Sequence, residues 1–62
     1  MENRLRELRE ARKLTQAQVA AALGVPSQRV SEWELGTRTP KLEIALEIAR
    51  LFRCPVEDIF WL

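Results

Sequence analysis

The run LTQAQVAAALGVPSQRVSEWELG, residues 14–36, decides how this chain folds. Thr15 carries the side-chain oxygen that a helix N-cap needs, and Val19, Ala20 and Leu23 then supply one inward helical face. Gly24 can adopt the left-handed backbone that ends a helix, so the spacing predicts a short helix over about 16–23. Only Val25 and Pro26 separate that glycine from the next helical pattern, which covers about 27–35 and is closed by Gly36. Two helices joined so tightly must meet at a corner; a long antiparallel hairpin would need more chain between them.

That is the spacing of a helix-turn-helix, and the rest of the chain builds outward from it. Upstream, ENRLRELREARK places Leu5, Leu8 and Ala11 on one stripe between charges, which predicts a first helix over about 2–13. Downstream, GTRTP is rich in turn residues, and Pro40 is placed to open a fourth helix over about 41–53. Cys54-Pro55 breaks that helix, and VEDIFWL predicts a last single helical turn over about 56–60. Nowhere does the chain alternate as a strand would, and it has no internal repeat. A single all-α domain spanning 1–62 is expected.

Composition narrows the function. Ten Lys plus Arg against nine Asp plus Glu leave a formal charge of +1, so no overall basic field points to nucleic acid. A case for such a partner must rest on where the charges sit. No apolar run is long enough to span a bilayer and Met1 leads directly into charged residues, so neither a membrane segment nor a signal peptide is expected and the location expected is cytoplasmic. With no histidine and only Cys54, the chain lacks an internal disulfide, a zinc-type cluster and the commonest general base. No cofactor, metal or catalysis is expected, and Cys54 reads as a small half-buried loop residue.

Taken together and in order, LTQAQVAAALGV, VSEWELGTRTP and LEIARLFRCPVEDIF resemble the Cro and phage-repressor type of helix-turn-helix family, also called the xenobiotic-response-element family. The resemblance covers nearly the whole chain, because it joins the Thr-Gln start of the second helix, the Gly-Val turn, the Trp-Glu-x-Gly end of the third and the Asp-Ile-Phe finish. Membership implies a compact five-helix, lambda-repressor-like domain whose third helix enters the DNA major groove. It also implies base readers at Ser27, Gln28 and Glu32, with Arg29 able to reach a base or the backbone.

The residues of the third helix can be weighed on their own chemistry. At about 100° per residue, Ser27, Ser31, Leu35, Gln28 and Glu32 share one arc of about 140°, and Arg29 lies just beyond it. Val30 and Trp33 fall on the opposite side with Glu34 beside them. The polar arc is either a plain solvated face or a reading surface, and the tight turn and small second helix favour reading. Glutamine pairs with adenine N6 and N7, arginine with guanine, and a carboxylate accepts from cytosine N4. Ser27 and Ser31 are short enough to bond a base edge or phosphate without holding the helix out of the groove. Leu35 either packs locally or touches a sugar or a thymine methyl.

Phosphate contacts are expected from the flanks. Gln16 opens the second helix, where a side-chain amide and exposed backbone N–H groups can hold a phosphate together. Thr37, Arg38 and Lys41 stand where the family presents its other backbone clamp, while Glu43, Glu47, Glu57 and Asp58 belong to the far end. The resemblance further implies a structural ion pair between Arg9 and Glu34, and Trp33 reads as a core anchor.

In LEIALEIARLF, Leu42, Ala45, Leu46, Ala49 and Phe52 are expected to face the core, with Ile44, Ile48 and Leu51 forming a second apolar stripe. That stripe, with Trp61 and Leu62, is expected at a two-fold homodimer interface. The function these features imply is sequence-specific binding to a pseudo-palindromic double-stranded DNA operator by a small repressor-type regulator. Two alternatives use the same fold: a protein-interaction module, and an antitoxin component that binds DNA and a toxin.

Overall fold

A computed structural model describes residues 2–62. Its element order is β1 (Glu2–Asn3), α1 (Leu5–Ala11), α2 (Gln16–Leu23), α3 (Ser27–Leu35), α4 (Leu42–Phe52), a 3₁₀ turn (Val56–Asp58) and β2 (Phe60–Trp61). The helix-turn-helix pair has the expected bounds, and local chemistry explains why. The Gln18 backbone N–H donates to Thr15 Oγ1 at 3.0 Å while the Thr15 N–H donates to Gln18 Oε1 at 2.8 Å, a reciprocal capping box. Gly24 and Gly36 end α2 and α3 with φ of 71° and 80°. A Cβ at Gly24 would meet nothing within 4 Å, so what requires glycine there is the left-handed backbone and not crowding. Pro26 precedes α3 as an extended residue without a side-chain cap, its fixed φ aiming the chain into the helix.

The expected five-helix count is corrected at both ends of the chain. Glu2 and Asn3 do not join the first helix: they pair antiparallel with Trp61 and Phe60, and the Asn3 carboxamide oxygen accepts from the Leu5 N–H at 3.1 Å, starting α1 at Leu5. Asn3 Nδ2 also donates to the Trp33 carbonyl at 3.0 Å, tying this edge to α3. At the other end, α1 stops at Ala11, and Lys13 turns left-handed with φ of 56°. The segment expected as a fifth helix over 56–60 is only the 3₁₀ turn Val56–Asp58, because Phe60 and Trp61 are taken by the ladder. Among the described residues the fold is four helices, one 3₁₀ turn and a two-stranded ribbon that pairs Glu2–Asn3 with Phe60–Trp61.

The core gathers Leu5 from α1, Val19, Ala20 and Leu23 from α2, Val30 and Trp33 from α3, Ala45, Ile48 and Phe52 from α4, then Ile59 and Phe60. Every helix contributes at least one wholly or nearly buried side chain, so no helix can move without opening the same small core. Arg12, just past α1, donates to the Leu51 and Phe52 carbonyls at 3.0 and 2.9 Å, and its guanidinium carbon lies 5.4 Å from the Phe52 ring centroid. It therefore satisfies carbonyls at the end of α4, which the helix's own ladder leaves open, and places a cation at the negative end of the helix dipole.

The apolar stripes of α4 are phased differently from expectation. Ile48, expected at a dimer surface, is 0% exposed inside its own core, while Leu42 and Leu46, expected inward, are 70% and 51% exposed. Ile44 and Leu51 are half-buried against the core. Glu43, Glu47 and Arg50 explain the phase: at about 100° per residue they share one arc, which must face water and turns Ala45, Ile48 and Phe52 inward.

Candidate nucleic-acid interface

The site is built on α3, which is held from behind. Val30 and Trp33 are buried on its inner side, and Glu34 beside them is the centre of a polar network. Arg9 Nε donates to Glu34 Oε2 at 2.6 Å and Arg9 Nη2 to Oε1 at 3.1 Å, a forked pair whose side chains are 12% and 5% exposed. The third Arg9 donor, Nη1, reaches the Leu14 carbonyl at 2.9 Å, and Gln16 Nε2 donates to Glu34 Oε1 at 3.1 Å. One carboxylate thus joins α1, the entry to α2 and the end of α3. Its hydrogen bond raises the Arg9 guanidinium pKa above an already high ordinary value, so Arg9 stays charged wherever the fold survives. Among the described residues, no buried side-chain polar atom is left without a partner.

The outer side of α3 separates into two kinds of residue. Ser27, Gln28 and Leu35 are exposed, and Ser31 is half-buried in a hollow it shares with Arg6, Arg9, Gln16, Glu34 and Leu35. The Gln28 side chain makes no hydrogen bond within the protein among the described residues, leaving both its amide donor and its acceptor to solvent. Glu32, by contrast, is engaged: its Oε1 accepts a hydrogen bond from Arg29 Nη1 at 3.3 Å and forms an ion pair with Arg38, whose Nε lies 3.3 Å away. The Glu32 backbone carbonyl accepts from the Thr37 N–H at 3.1 Å and from Thr37 Oγ1 at 3.3 Å. These bonds fold the Gly36–Arg38 loop back beside α3.

The flanking residues expected to meet phosphate divide similarly. Thr37, Arg38 and Lys41 are exposed, and Arg38 and Lys41 line one groove of about 320 Å³ with Arg29, Thr39 and Pro40. Gln16 is half-buried and already gives one amide hydrogen to Glu34, so what it presents outward is its remaining amide hydrogen and the first N–H groups of α2. Arg6 was not among the expected site residues. It stands exposed on α1 at the rim of the Ser31 hollow, paired with Glu10 at 3.2 Å. Its position one helical turn before Arg9, on the face that Arg9 turns towards α3, is the signal that could have placed it there.

The dimer residues fall into three groups. Ile48 is unavailable, Ile44 and Leu51 offer only their edges, and Trp61 and Leu62 are exposed at the chain end with Trp61 in the ladder. Leu42 and Leu46 are the exposed apolar residues of α4 that periodicity alone had turned inward.

A helix-turn-helix family model matches residues 5–59. The HTH-type transcriptional regulator YgzD of Bacillus subtilis is 37% identical over 62 residues, covering 100% of this chain and 94% of that protein. The cryptic phage CTXphi transcriptional repressor RstR of Vibrio cholerae is 33% identical over 57 residues, 92% of this chain and 51% of the repressor. Among solved structures, the restriction-modification controller protein C.AhdI from Aeromonas hydrophila matches with a TM-score of 0.81 at 33% identity, covering 92% of this chain and 86% of that one. The likeness spans the capped α2, the tight turn, the anchored α3 and the helix that follows, and by it this chain belongs to the Cro and phage-repressor type of helix-turn-helix transcriptional regulators.

Proposed function

We propose that this chain binds a pseudo-palindromic double-stranded DNA operator as a homodimer and regulates transcription as a repressor without catalysing a reaction. The observation that carries the proposal is the two-sided build of α3: Val30, Trp33 and the Arg9–Glu34 fork fix it from behind, while Ser27 and Gln28 stand free on its outer side. A helix whose outer polar groups are not used by the protein has hydrogen-bonding capacity for base edges. Gln28 reads adenine through its amide, Ser27 and Ser31 bond a base edge or a nearby phosphate, and Arg29 reaches guanine or the backbone. Gln16, Thr37, Arg38 and Lys41 clamp phosphates on either side. With about 3 phosphates neutralised per monomer, a dimer gives a log–log salt slope of roughly −5.

Exposed apolar residues support the homodimer. Leu42 and Leu46 on α4, with Trp61 and Leu62, leave large side chains in water on a domain too small to bury them itself. A two-fold axis through such a surface sets two copies of α3 into successive major grooves about 34 Å apart. Regulation of this kind takes place where the operator lies, in the cytoplasm.

Selection of bound duplexes from a random DNA pool tests the reading directly. Enrichment of an inverted repeat, with preference lost at one position per half-site in Gln28→Ala, is the expected result. Recovery of no preferred sequence by the wild-type chain overturns operator recognition, and capture of a protein partner alone favours the interaction-module alternative.

A further inference from the structure

Glu32 sits at the centre of the proposed DNA-facing surface, yet it is the side chain there least free to read a base. A single oxygen, Oε1, pairs with two arginines on different parts of the chain, Arg29 within α3 and Arg38 in the loop after it, each with a nitrogen at 3.3 Å. The three groups line one shallow hollow of about 180 Å³ with Pro26 and Gln28. Both contacts are long, with Arg29 half-buried and Arg38 exposed, so neither pair is strong. A phosphate oxygen is the same kind of anionic acceptor as this carboxylate and competes for the same cations.

We propose that Glu32 is an internal competitor for DNA phosphate: in the free protein it holds Arg29 and Arg38, and both leave it when DNA is bound. The proposal rests on the DNA-binding function above and assigns within it the residue that suppresses sequence-independent binding. A duplex of arbitrary sequence offers these arginines only phosphate, so each gains one anion by giving up another, and the net attraction is small. An operator adds base-edge bonds to Gln28, Ser27 and Arg29 that the carboxylate cannot imitate. Opening the latch costs the same free energy in both complexes, so sequence-independent binding, which has only phosphate contacts, becomes weak while the operator's added bonds keep specific binding tight. The Thr37 bonds to the Glu32 carbonyl keep the Arg38 loop close by whether or not the side-chain pair is made, so release needs no refolding.

The test compares the wild-type chain with Glu32→Gln, which keeps the size and removes the charge, on a mixed-sequence duplex and on the duplex the wild type selects from a random pool. Affinity for the mixed-sequence duplex is expected to rise about three- to tenfold, as two weak ion pairs no longer compete. The salt slope per monomer should stay the same, since both arginines meet phosphate in either protein, and affinity for the selected duplex should rise by a similar factor. Glu57→Gln makes the same change of net charge at an exposed position in the 3₁₀ turn and should alter mixed-sequence affinity less than about twofold. In an Arg29→Ala, Arg38→Ala background, the gain from Glu32→Gln should disappear. A gain that persists there, or an equal gain from Glu57→Gln, means general repulsion and overturns the latch. So does unchanged mixed-sequence binding with a loss confined to one base pair of the selected duplex, the behaviour of a direct cytosine reader. If neither protein binds either duplex at low salt, the DNA-binding function itself fails and the latch with it; if the wild type binds and Glu32→Gln gains nothing, only the latch fails.

Discussion

Helices α3 and α4 solve the problem of a two-faced helix in opposite ways. In α3 only Val30 and Trp33 are buried among nine residues, and its outer side is a set of small and polar groups, Gln28 unengaged among them, with one exposed leucine, Leu35, at its end. In α4 three residues are buried, Ala45, Ile48 and Phe52, and its outward side keeps Leu42 and Leu46 beside Glu43, Glu47 and Arg50. A polar outer face suits a hydrated, hydrogen-bonding partner such as a DNA groove. An apolar patch among charges suits a second protein surface. The difference teaches that the exposed side of a helix indicates its partner more clearly than its buried side, which looks much alike in both.

The contrast breaks most violently at the inner side of α4. Ile48→Asp places a carboxylate at a position with no exposure and no cation near enough in the core to receive it, and is expected to unfold the domain, a loss of about 5 kcal/mol or more. Loss of the thermal transition by circular dichroism checks this. A folded Ile48→Asp monomer would instead mean that Ile48 lies at an interface.

Next in size is the pin behind α3. Glu34→Ala leaves the Arg9 guanidinium mostly buried with its forked acceptor gone, and also strips Gln16 of its partner. An expected cost of about 3–5 kcal/mol, read from urea denaturation midpoints, follows from an uncompensated buried charge. An Arg9→Met, Glu34→Leu double replacement should recover much of that loss, since two apolar groups leave no charge stranded.

On the outer side of α3 the same chain should respond in the reverse manner. Gln28→Ala should leave stability within about 0.5 kcal/mol, because Gln28 is exposed and bonded to nothing in the protein, while costing about 1–3 kcal/mol of discrimination at one base pair. Parallel melting and competition-binding measurements separate the two effects. A large drop in melting temperature would make Gln28 a structural residue and remove it from the reading surface.

How far the molecule was legible beforehand follows the range of the forces involved. The bounds of α2 and α3 rest on Thr15, Gly24 and Gly36, whose effects act within one helical turn and are therefore written locally. The ribbon was invisible because two-residue strands have no period to display, and its pairing joins Glu2 to Trp61 across the whole chain. Glu2 and Asn3 also look like the start of a helix rich in charge, and it is this pairing together with the Asn3 bonds to Leu5 and Trp33 that sets them apart. In the site, the outward arc of α3 was readable from its spacing. The Arg38–Glu32 ion pair depends on the path of a loop, which no periodicity encodes. In α4 the apolar residues cover so much of the circumference that they fix no phase; Glu43, Glu47 and Arg50 do, since charges tolerate only the wet side.

The smallest expected effect on folding belongs to that wet side, and it completes the comparison. Leu46→Asp adds a charge where the side chain is already half in water, near Glu43 and Glu47 in sequence, and should change monomer stability by no more than about 0.5 kcal/mol. Yet if α4 supplies the two-fold surface, this variant should sediment as a monomer at concentrations where the wild type is dimeric, because a carboxylate in a packed interface has no partner. Its operator affinity should then fall while the salt slope per monomer stays the same, since phosphate contacts remain and only their linkage through the axis is lost. Ile48→Asp and Leu46→Asp lie two residues apart on one helix and carry the same chemical change, so their opposite outcomes, an unfolded chain against a folded monomer, test the phase of α4 and the position of the interface together. An unaltered dimer in Leu46→Asp would move the interface to Trp61 and Leu62 and leave the outer leucines of α4 without a role in assembly.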